Sequence, residues 1–266
     1  MKSIAFIIVA FNSVDHIENC IDSIIKHTED GIKVEIIVVD NSDEEAAVAI
    51  KNLLVRRFDH DVVYHATGRN IGYGAANNVG VRISKSEIIC IINPDVRLTE
   101  PFGTRVLNRF KSQEDLVLLG LRQRGGVDLS YYFYPNIYIP LVGNVLLKLA
   151  NRLNFYSSKL FFPSGALAVL RKDGFSHIGG YDENFFLYYE DADLSRRLVA
   201  FGYGVDIDFS ISYRHLIDMG SRRKRSPASK LIEEKSLIYY LTKHRHYFCW
   251  HALRRKIRSL LRPVEG

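Results

Sequence analysis

Four short polar clusters stand where apolar runs stop. The run Ile4 to Phe11 gives way to Asn12-Ser13, and a second run ends at Asp40-Asn41-Ser42-Asp43. A third leads into Gly68-Arg69-Asn70-Ile71-Gly72-Tyr73-Gly74, and a fourth ends at Asn93-Pro94-Asp95. In an open parallel sheet, ligands bind beyond the carboxyl ends of the strands, so these are the residues placed for chemistry. No G-x-G-x-x-G follows the first run and no G-x-x-x-x-G-K-[ST] is present, which excludes both glycine loops that cradle phosphates. The phosphates of a nucleotide ligand would then need a divalent cation. A single carboxylate at a strand end suits Mg2+ or Mn2+ held partly by substrate oxygens, and Asp95 is that carboxylate. Asn, Pro and Asp are also turn formers, so 93–95 equally fits a plain turn, and Asp40 equally fits a helix cap.

The elements that must position these residues follow from periodicity. Strand-like runs cover 4–11, 34–40, 61–66, 87–93 and 116–121. Between them, Ile17, Ile21, Ile24 and Ile25 share one helical face, as do Val48, Leu53, Leu54 and Phe58. Near-continuous Ile/Val strands alternating with helices predict an α/β fold with a parallel sheet covered on both faces. Residues 122–160 break this rhythm with a Tyr-rich stretch and a Leu-rich helix, and read as an insertion or acceptor-side lid. A strand over 166–172, the loop GGYDENFFLYYED, a helix over 192–200 and a strand over 205–209 follow. The polar run RRKRSPAS (222–229) reads as a linker, and the chain is predicted helical from Lys230 onward.

Composition is that of a folded enzyme domain: 266 residues, 47% hydrophobic and 25% charged, which excludes disordered and fibrous classes. The net charge of +6 is uneven. Residues 222–266 hold 13 of the 36 Lys and Arg but three of the 30 Asp and Glu, so the tail carries +10 and the preceding residues −4. The basic character belongs to the tail, and a nucleic-acid role for the whole domain is not supported. Cys20, Cys90 and Cys249 are too scattered for a disulfide framework or a Cys-rich metal site, which favours a reducing compartment. The first apolar run lacks a cleavage-site pattern and reads as a buried strand rather than a signal peptide. The apolar stretch 137–150 is broken by Pro140, Gly143, Asn144 and Lys148 and falls short of the roughly 20 residues a spanning helix needs.

Taken in order, five pieces resemble the inverting nucleotide-sugar glycosyltransferases of family 2, with the GT-A, Rossmann-like fold, over about residues 3–216. They are VAFNS, VVDNS, GRNIGYGAANN, NPD and EDADL (190–194). The resemblance implies a mostly parallel central sheet flanked by helices, a catalytic domain over 1–220 and a basic helical extension over 221–266. Carried over by position, Phe11, Asn12 and Asp40 would contact the base and ribose of the donor. Asn70, Gly72, Tyr73 and Asn77 would lie along ribose and sugar-phosphate, the glycines allowing close approach of the backbone. Asn93 would hydrogen-bond the donor sugar, and Asp95 would hold the metal, with His215 completing the site.

Inverting transfer is a single displacement, so a base must take the acceptor hydroxyl proton on the face opposite the leaving diphosphate. Glu190, Asp191 and Asp193 are the carboxylates that could do so. Asp191 matches the family's base, Glu190 remains beside it as a catalytic candidate, and Asp193 fits an ion pair with Arg196 or Arg197. The processive Q-x-x-R-W signature is absent, since Cys249 precedes Trp250, the single tryptophan, which points to transfer of one sugar. The N-P-D form resembles the rhamnosyltransferase-like branch and implies a deoxythymidine-diphosphate rhamnose donor, with a saccharide or lipid-linked acceptor in polysaccharide assembly. Two other readings stand beside it: a sugar nucleotidyltransferase, although VAFNSVDHIEN lacks that class's basic glycine loop, and a non-catalytic nucleotide-sugar-binding protein. Leu253, Ile257, Leu260 and Leu261 among Arg254, Arg255, Lys256 and Arg258 suggest a basic amphipathic helix on an anionic membrane surface. Localisation is then cytoplasmic, peripheral on the inner face of the membrane.

Overall fold

The computed structural model describes residues 3–59, 61–139, 142–216 and 226–244. Strands β1 (Ser3–Ala10), β2 (Lys33–Asp40), β3 (Val62–Ala66) and β4 (Ile88–Ile92) pair in parallel in the order β3-β2-β1-β4. Because side chains alternate across a strand, β1 divides its residues between two cores. Ile4, Phe6 and Ile8 pack with Ile17, Ile21 and Ile24 of α1 (Val14–Lys26) and with Ile50 and Leu54 of α2 (Glu44–Phe58). Ala5, Ile7 and Val9 pack on the other face against Ala76 and Val81 of α3 (Tyr73–Ile83). Helices on both faces are what a buried parallel sheet requires, and the strand order reverses between β1 and β4, which opens a crevice at their carboxyl ends.

Beyond β4 the sheet is mixed. It continues as β9 (Leu167–Arg171), β6 (Leu116–Arg124), β10 (Gly204–His215) and the edge strand β5 (Val96–Leu98). β9 runs antiparallel to both β4 and β6, and β5 antiparallel to β10, so the parallel sheet expected from the Ile/Val runs holds for six of the eight strands. Apolar content reports burial and carries no sign of strand direction, which is why the sequence could not tell β9 from its neighbours. The antiparallel β9 begins at the ligand edge of the sheet, with Leu167 opposite Ile92.

Other boundaries also differ from the sequence reading. β6 extends to Arg124, so the expected insertion begins inside a strand. Its remainder forms a two-stranded ribbon, β7 (Tyr131–Phe133) with β8 (Phe161–Pro163), carrying α5 (Val142–Arg152). β10 continues from Val205 through a bulge to His215. Helix α4 (Gly103–Ser112) covers one face, and α6 (Lys172–His177) follows β9. Helix α7 (Glu190–Ala200) starts two residues earlier than expected.

The end of the expected linker is a helix start. Ser226 caps α8 (Pro227–Lys243) by accepting from the Ser229 amide, and Pro227 stands at the first helical position, where its missing N–H costs nothing. Among the described residues no helix is long and apolar enough to cross a membrane. The amphipathic stretch 253–261 and Cys249 lie outside the described residues.

Candidate active site

Each donor-side candidate sits where its own strand ends. At the end of β1 the backbone bends sharply: Asn12 takes φ 50°, its amide donates to Ser42 Oγ at 2.8 Å and its side-chain amide to Asp43 Oδ2 at 2.9 Å. That bend leaves the Phe11 ring half out in solvent, free to cover a planar group. Asp43 also caps α2 through the Ala46 amide.

Asp40, expected to contact the donor base, is 1% exposed. Its Oδ1 accepts from the Ser42 amide and its Oδ2 from the Tyr64 hydroxyl, at 2.9 and 2.8 Å. Both oxygens thus hold the β2 end and Tyr64 in place, and direct contact with a base would have to displace one of them. Burial, and then the hydrogen bond to Asp40, push the Tyr64 hydroxyl above its ordinary pKa, so it stays a donor.

The glycine loop is shaped by contacts within the protein. Asn70 closes it by accepting from the Gly72 amide at 3.0 Å. Gly72 takes φ 93°, and a Cβ there would lie 2.7 Å from the Phe186 carbonyl oxygen; a Cβ on Gly74 would lie 3.0 Å from Tyr181 Cβ. These glycines permit a close approach to the 181–189 loop of the protein itself. Asn77, expected beside the donor, is fully buried; its amide donates to the Tyr73 carbonyl at 3.0 Å, and its Oδ1 has no partner among the described residues. It fastens the first turn of α3 rather than lining an open surface.

Tyr73 points across the crevice. Its hydroxyl shares its proton between Asn93 Oδ1 at 2.9 Å and the Gly165 carbonyl at 3.0 Å. The Asn93 amide donates to the Ala166 carbonyl at 2.9 Å, and the Gly165 amide reaches Asp191 Oδ2 at 3.3 Å. A chain of contacts therefore runs from the β4 end through the start of β9 to the catalytic candidate. A Cβ on Gly165 would stand 3.1 Å from Asp191 Oδ2 and press on that carboxylate. It was missed in the sequence; the Pro163-Ser164-Gly165 turn before a strand was the one available signal.

Asp95 and His215 meet from opposite ends of the chain, with Nε2 3.2 Å from Asp95 Oδ2. The His215 Nδ1 faces Gln123 Oε1 at 3.4 Å, an oxygen that also accepts from Tyr213 and Ser164. Gln123 thus holds the His215 ring from behind, with Nε2 turned towards the Asp95 carboxylate. A carboxylate oxygen and an imidazole nitrogen 3.2 Å apart can share a proton or, with the imidazole neutral, both ligate one cation, so the pair fits a divalent ion. Burial works to raise the Asp95 carboxyl, but the hydrogen bond and charge of His215 outweigh it and hold it below its ordinary pKa. Among the described residues no group of three or more His, Cys, Asp or Glu converges. An ion held here would take two ligands from the protein and the rest from ligand oxygens and water. Gln123 also escaped the sequence reading, having no motif around it.

The three carboxylates of α7 separate into two roles. The helix is entered through Tyr188 and Tyr189, both left-handed at φ 73° and 67°, a conformation costly for side chains with a Cβ. That entry turns Glu190 and Asp191 inward. Asp191 Oδ1 accepts from the Ala192 amide at 2.8 Å, while Glu190 is buried with Oε2 lacking a partner among the described residues. Burial raises both carboxyls above their ordinary range, and Glu190 is raised further by the charge of Asp191.

Asp193 is instead consumed structurally. One oxygen binds Arg197 Nε at 2.7 Å, as one of the two partners expected, and the other faces Lys243 Nζ at 2.6 Å and His244 Nε2 at 2.9 Å. Burial would raise Asp193, but these partners hold it low.

Lys243 also pairs with Asp182 at 2.7 Å, and the Tyr239 hydroxyl donates to the same carboxylate. Helix α8 thus clamps the 181–193 segment. Asn78 fixes its other end, accepting from the Tyr181 amide and donating to the Tyr181 carbonyl. None of these three residues stood out in the sequence, because the contacts span 50 to 103 positions.

The family model described as glycosyl transferase family 2 matches residues 5–179. A poly(ribitol-phosphate) beta-glucosyltransferase of Bacillus spizizenii is 27% identical over 60% of this chain and 27% of its own length. A low-salt glycan biosynthesis hexosyltransferase, Agl10, of Haloferax volcanii is 24% identical over 74% of this chain and 62% of its own. An N-acetylglucosaminyl-diphospho-decaprenol L-rhamnosyltransferase of Mycobacterium tuberculosis is 33% identical over 34% of this chain and 28% of its own. The chain thus spans between about a quarter and three fifths of these relatives. Among solved structures, the mannosyltransferase PcManGT from Pyrobaculum calidifontis, in complex with GDP-Man and Mn2+, superposes with a TM-score of 0.65 at 15% identity, covering 92% of this chain and 65% of that one. GalNAc-T7 with UDP, GalNAc and Mn2+ gives 0.68 at 13%, covering 90% and 47%. At these identities the likeness establishes the fold, which is GT-A.

Proposed function

Since the chain belongs to glycosyl transferase family 2, we propose that it moves a single sugar from a nucleotide-diphosphate donor to a saccharide or lipid-linked acceptor, with inversion at the anomeric carbon. The observation that supports this best is the short path from Asn93 through Tyr73 and Gly165 to Asp191. It sets a carboxylate with a raised pKa at the rim of the same crevice that the donor-side strand ends form. A carboxylate held near neutrality is suited to accept a proton from a hydroxyl, where an ordinary one would be too weak a base.

Asp191 is the base in this reading. Glu190, more deeply buried and repelled by Asp191, keeps its own proton and so preserves the charge state that Asp191 needs. Phe11 and Asn12 receive the base and ribose, while Asp40 holds Tyr64 and the loop beneath them. Asn93 and Tyr73 face the donor sugar. Asp95 and His215 would hold Mg2+ or Mn2+, which when bound neutralises the departing diphosphate. The deoxythymidine-diphosphate rhamnose donor rests on the N-P-D form and on the likeness to a rhamnosyltransferase over 34% of the chain. Family membership counts against a sugar nucleotidyltransferase.

A thermal-shift screen of nucleoside diphosphates with and without Mn2+ tests the donor side, since a ligand that binds the folded state raises the melting point. We expect one nucleotide to stabilise in a metal-dependent way, Asp95→Ala to remove that dependence, and the same variant to abolish transfer in a nucleotide-sugar panel. Full activity of Asp95→Ala, or of the wild type in EDTA, would sink the metal assignment.

A further inference from the structure

Helix α5 rests on the β7–β8 ribbon through Leu147, which packs with Tyr131 and Phe161, while the opposite side of the helix is apolar and bare. At 100° per residue, Val142, Val145, Leu146, Leu149 and Leu153 fall within an arc of about 100°. All five are exposed, Val145 by 66% and Leu153 by 67%, and the Phe155 ring extends the patch at 56%. Five or more large apolar side chains on one exposed face are unusual for a soluble surface. The charges beside them have one sign. Lys148 and Arg152 border the stripe along one edge, Lys159 follows Phe155, and all three are exposed. No Asp or Glu occurs from residue 129 to 172.

An apolar stripe edged by cations without a carboxylate complements one kind of surface, a bilayer with anionic headgroups. The side chains enter the acyl boundary, and the Lys and Arg stems lie along it with their charges among the phosphates. A second copy of the chain would bring cations against cations. We propose that α5 docks this protein on an anionic membrane surface. The ribbon that carries α5 leads through Pro163 directly into Ser164 and Gly165, whose amide meets Asp191, so the docked face and the acceptor end of the crevice share one short segment. This rests on the lipid-linked acceptor reading for its purpose, though not for the docking itself.

Co-sedimentation of the full chain with vesicles tests it, using phosphatidylcholine alone and phosphatidylcholine mixed with phosphatidylglycerol. The wild type should pellet with the anionic vesicles and be released by salt. The double variant V145E/L149E, altered at exposed positions, should bind at least about tenfold more weakly while transferring to a water-soluble saccharide acceptor at the wild-type rate. K148E/R152E should lose affinity for the anionic vesicles while keeping residues 245–266 unchanged. Equal pelleting of V145E/L149E and wild type would overturn the proposal, as would absence of wild-type binding, or a wild-type dimer that V145E/L149E turns into a monomer. Vesicle binding that depends on α5, in a protein that transfers to neither soluble nor lipid-linked acceptor, would leave the docking standing and remove the transferase reading instead.

Discussion

The strand ends proposed as the donor half of this site and the start of α7 proposed as its acceptor half are built by different rules. On the donor side, β1, β2 and β4 each deliver their polar residues at their own ends, and the loops are closed by near neighbours: Ser42 on Asp40, Gly72 on Asn70. On the acceptor side local contacts (Ala192 on Asp191, Arg197 on Asp193) are joined by distant ones. Asp191 is set by Gly165, the 181–189 loop by Asn78, and Asp193 by Lys243 and His244. A parallel sheet places a donor site by strand ends alone, whereas a carboxylate at a helix start has to be aimed by the chain wrapped around it.

The largest effect should come from the residue proposed as the base. Asp191→Asn keeps the shape and the Gly165 contact but not the basicity, and should lower kcat by about 10² to 10⁴-fold with donor affinity near wild type. A loss confined to KM would show Asp191 to be a binding group and would erase the distinction between the two halves.

Next comes the clamp. Asp193→Ala leaves Arg197, Lys243 and His244 without their shared carboxylate and should cost about 3 kcal/mol of stability in denaturant melts. No comparable cost is expected at the exposed Asn70. If the two substitutions destabilise alike, the acceptor half depends on its long-range contacts no more than the donor half does.

A smaller effect is expected from Gln123→Ala, which frees the His215 ring. Outer partners of a metal-binding histidine commonly contribute 10 to 100-fold in affinity, so Mn2+ titration should weaken by about that range while nucleotide binding without metal is unchanged. An unaltered titration would show that Gln123 does not orient His215 for the metal.

The smallest is a pH effect. Asp182 is held below its ordinary pKa chiefly by Lys243, and Asp193 by His244 and Arg197 with Lys243, so their contribution is complete above the unfolded value of about 3.9 and is lost as pH falls from there through the lower folded values. Melting temperature should therefore drop below about pH 4, and Lys243→Met should flatten that drop. An identical acid limb in the variant would place the acid sensitivity elsewhere.

This division also explains what was legible in the sequence. Ile4 to Ala10 and Ile88 to Ile92 declare buried strands by composition, so Asn12 and Asp95 could be located by counting to the strand end. The direction of β9 could not be read, because Leu167 to Leu170 would be equally apolar either way. Gly72 was legible as a special position but not in its purpose, since what fills the space beside it, the Phe186 carbonyl, lies 114 residues away in the chain. Gln123, Asn78 and Lys243 carry no local signature. Their partners are fixed only once the sheet has brought distant segments together.

The clamp by α8 has a consequence for how the protein comes off the ribosome. Synthesis is vectorial, and the strands and loops of the crevice emerge long before residue 243. Until then Asp193 has Arg197 alone, and nothing holds the Asp182 turn from above. The nascent chain can form its strand-end clusters early, but the contacts of Lys243 and His244 with Asp182 and Asp193 only at the end.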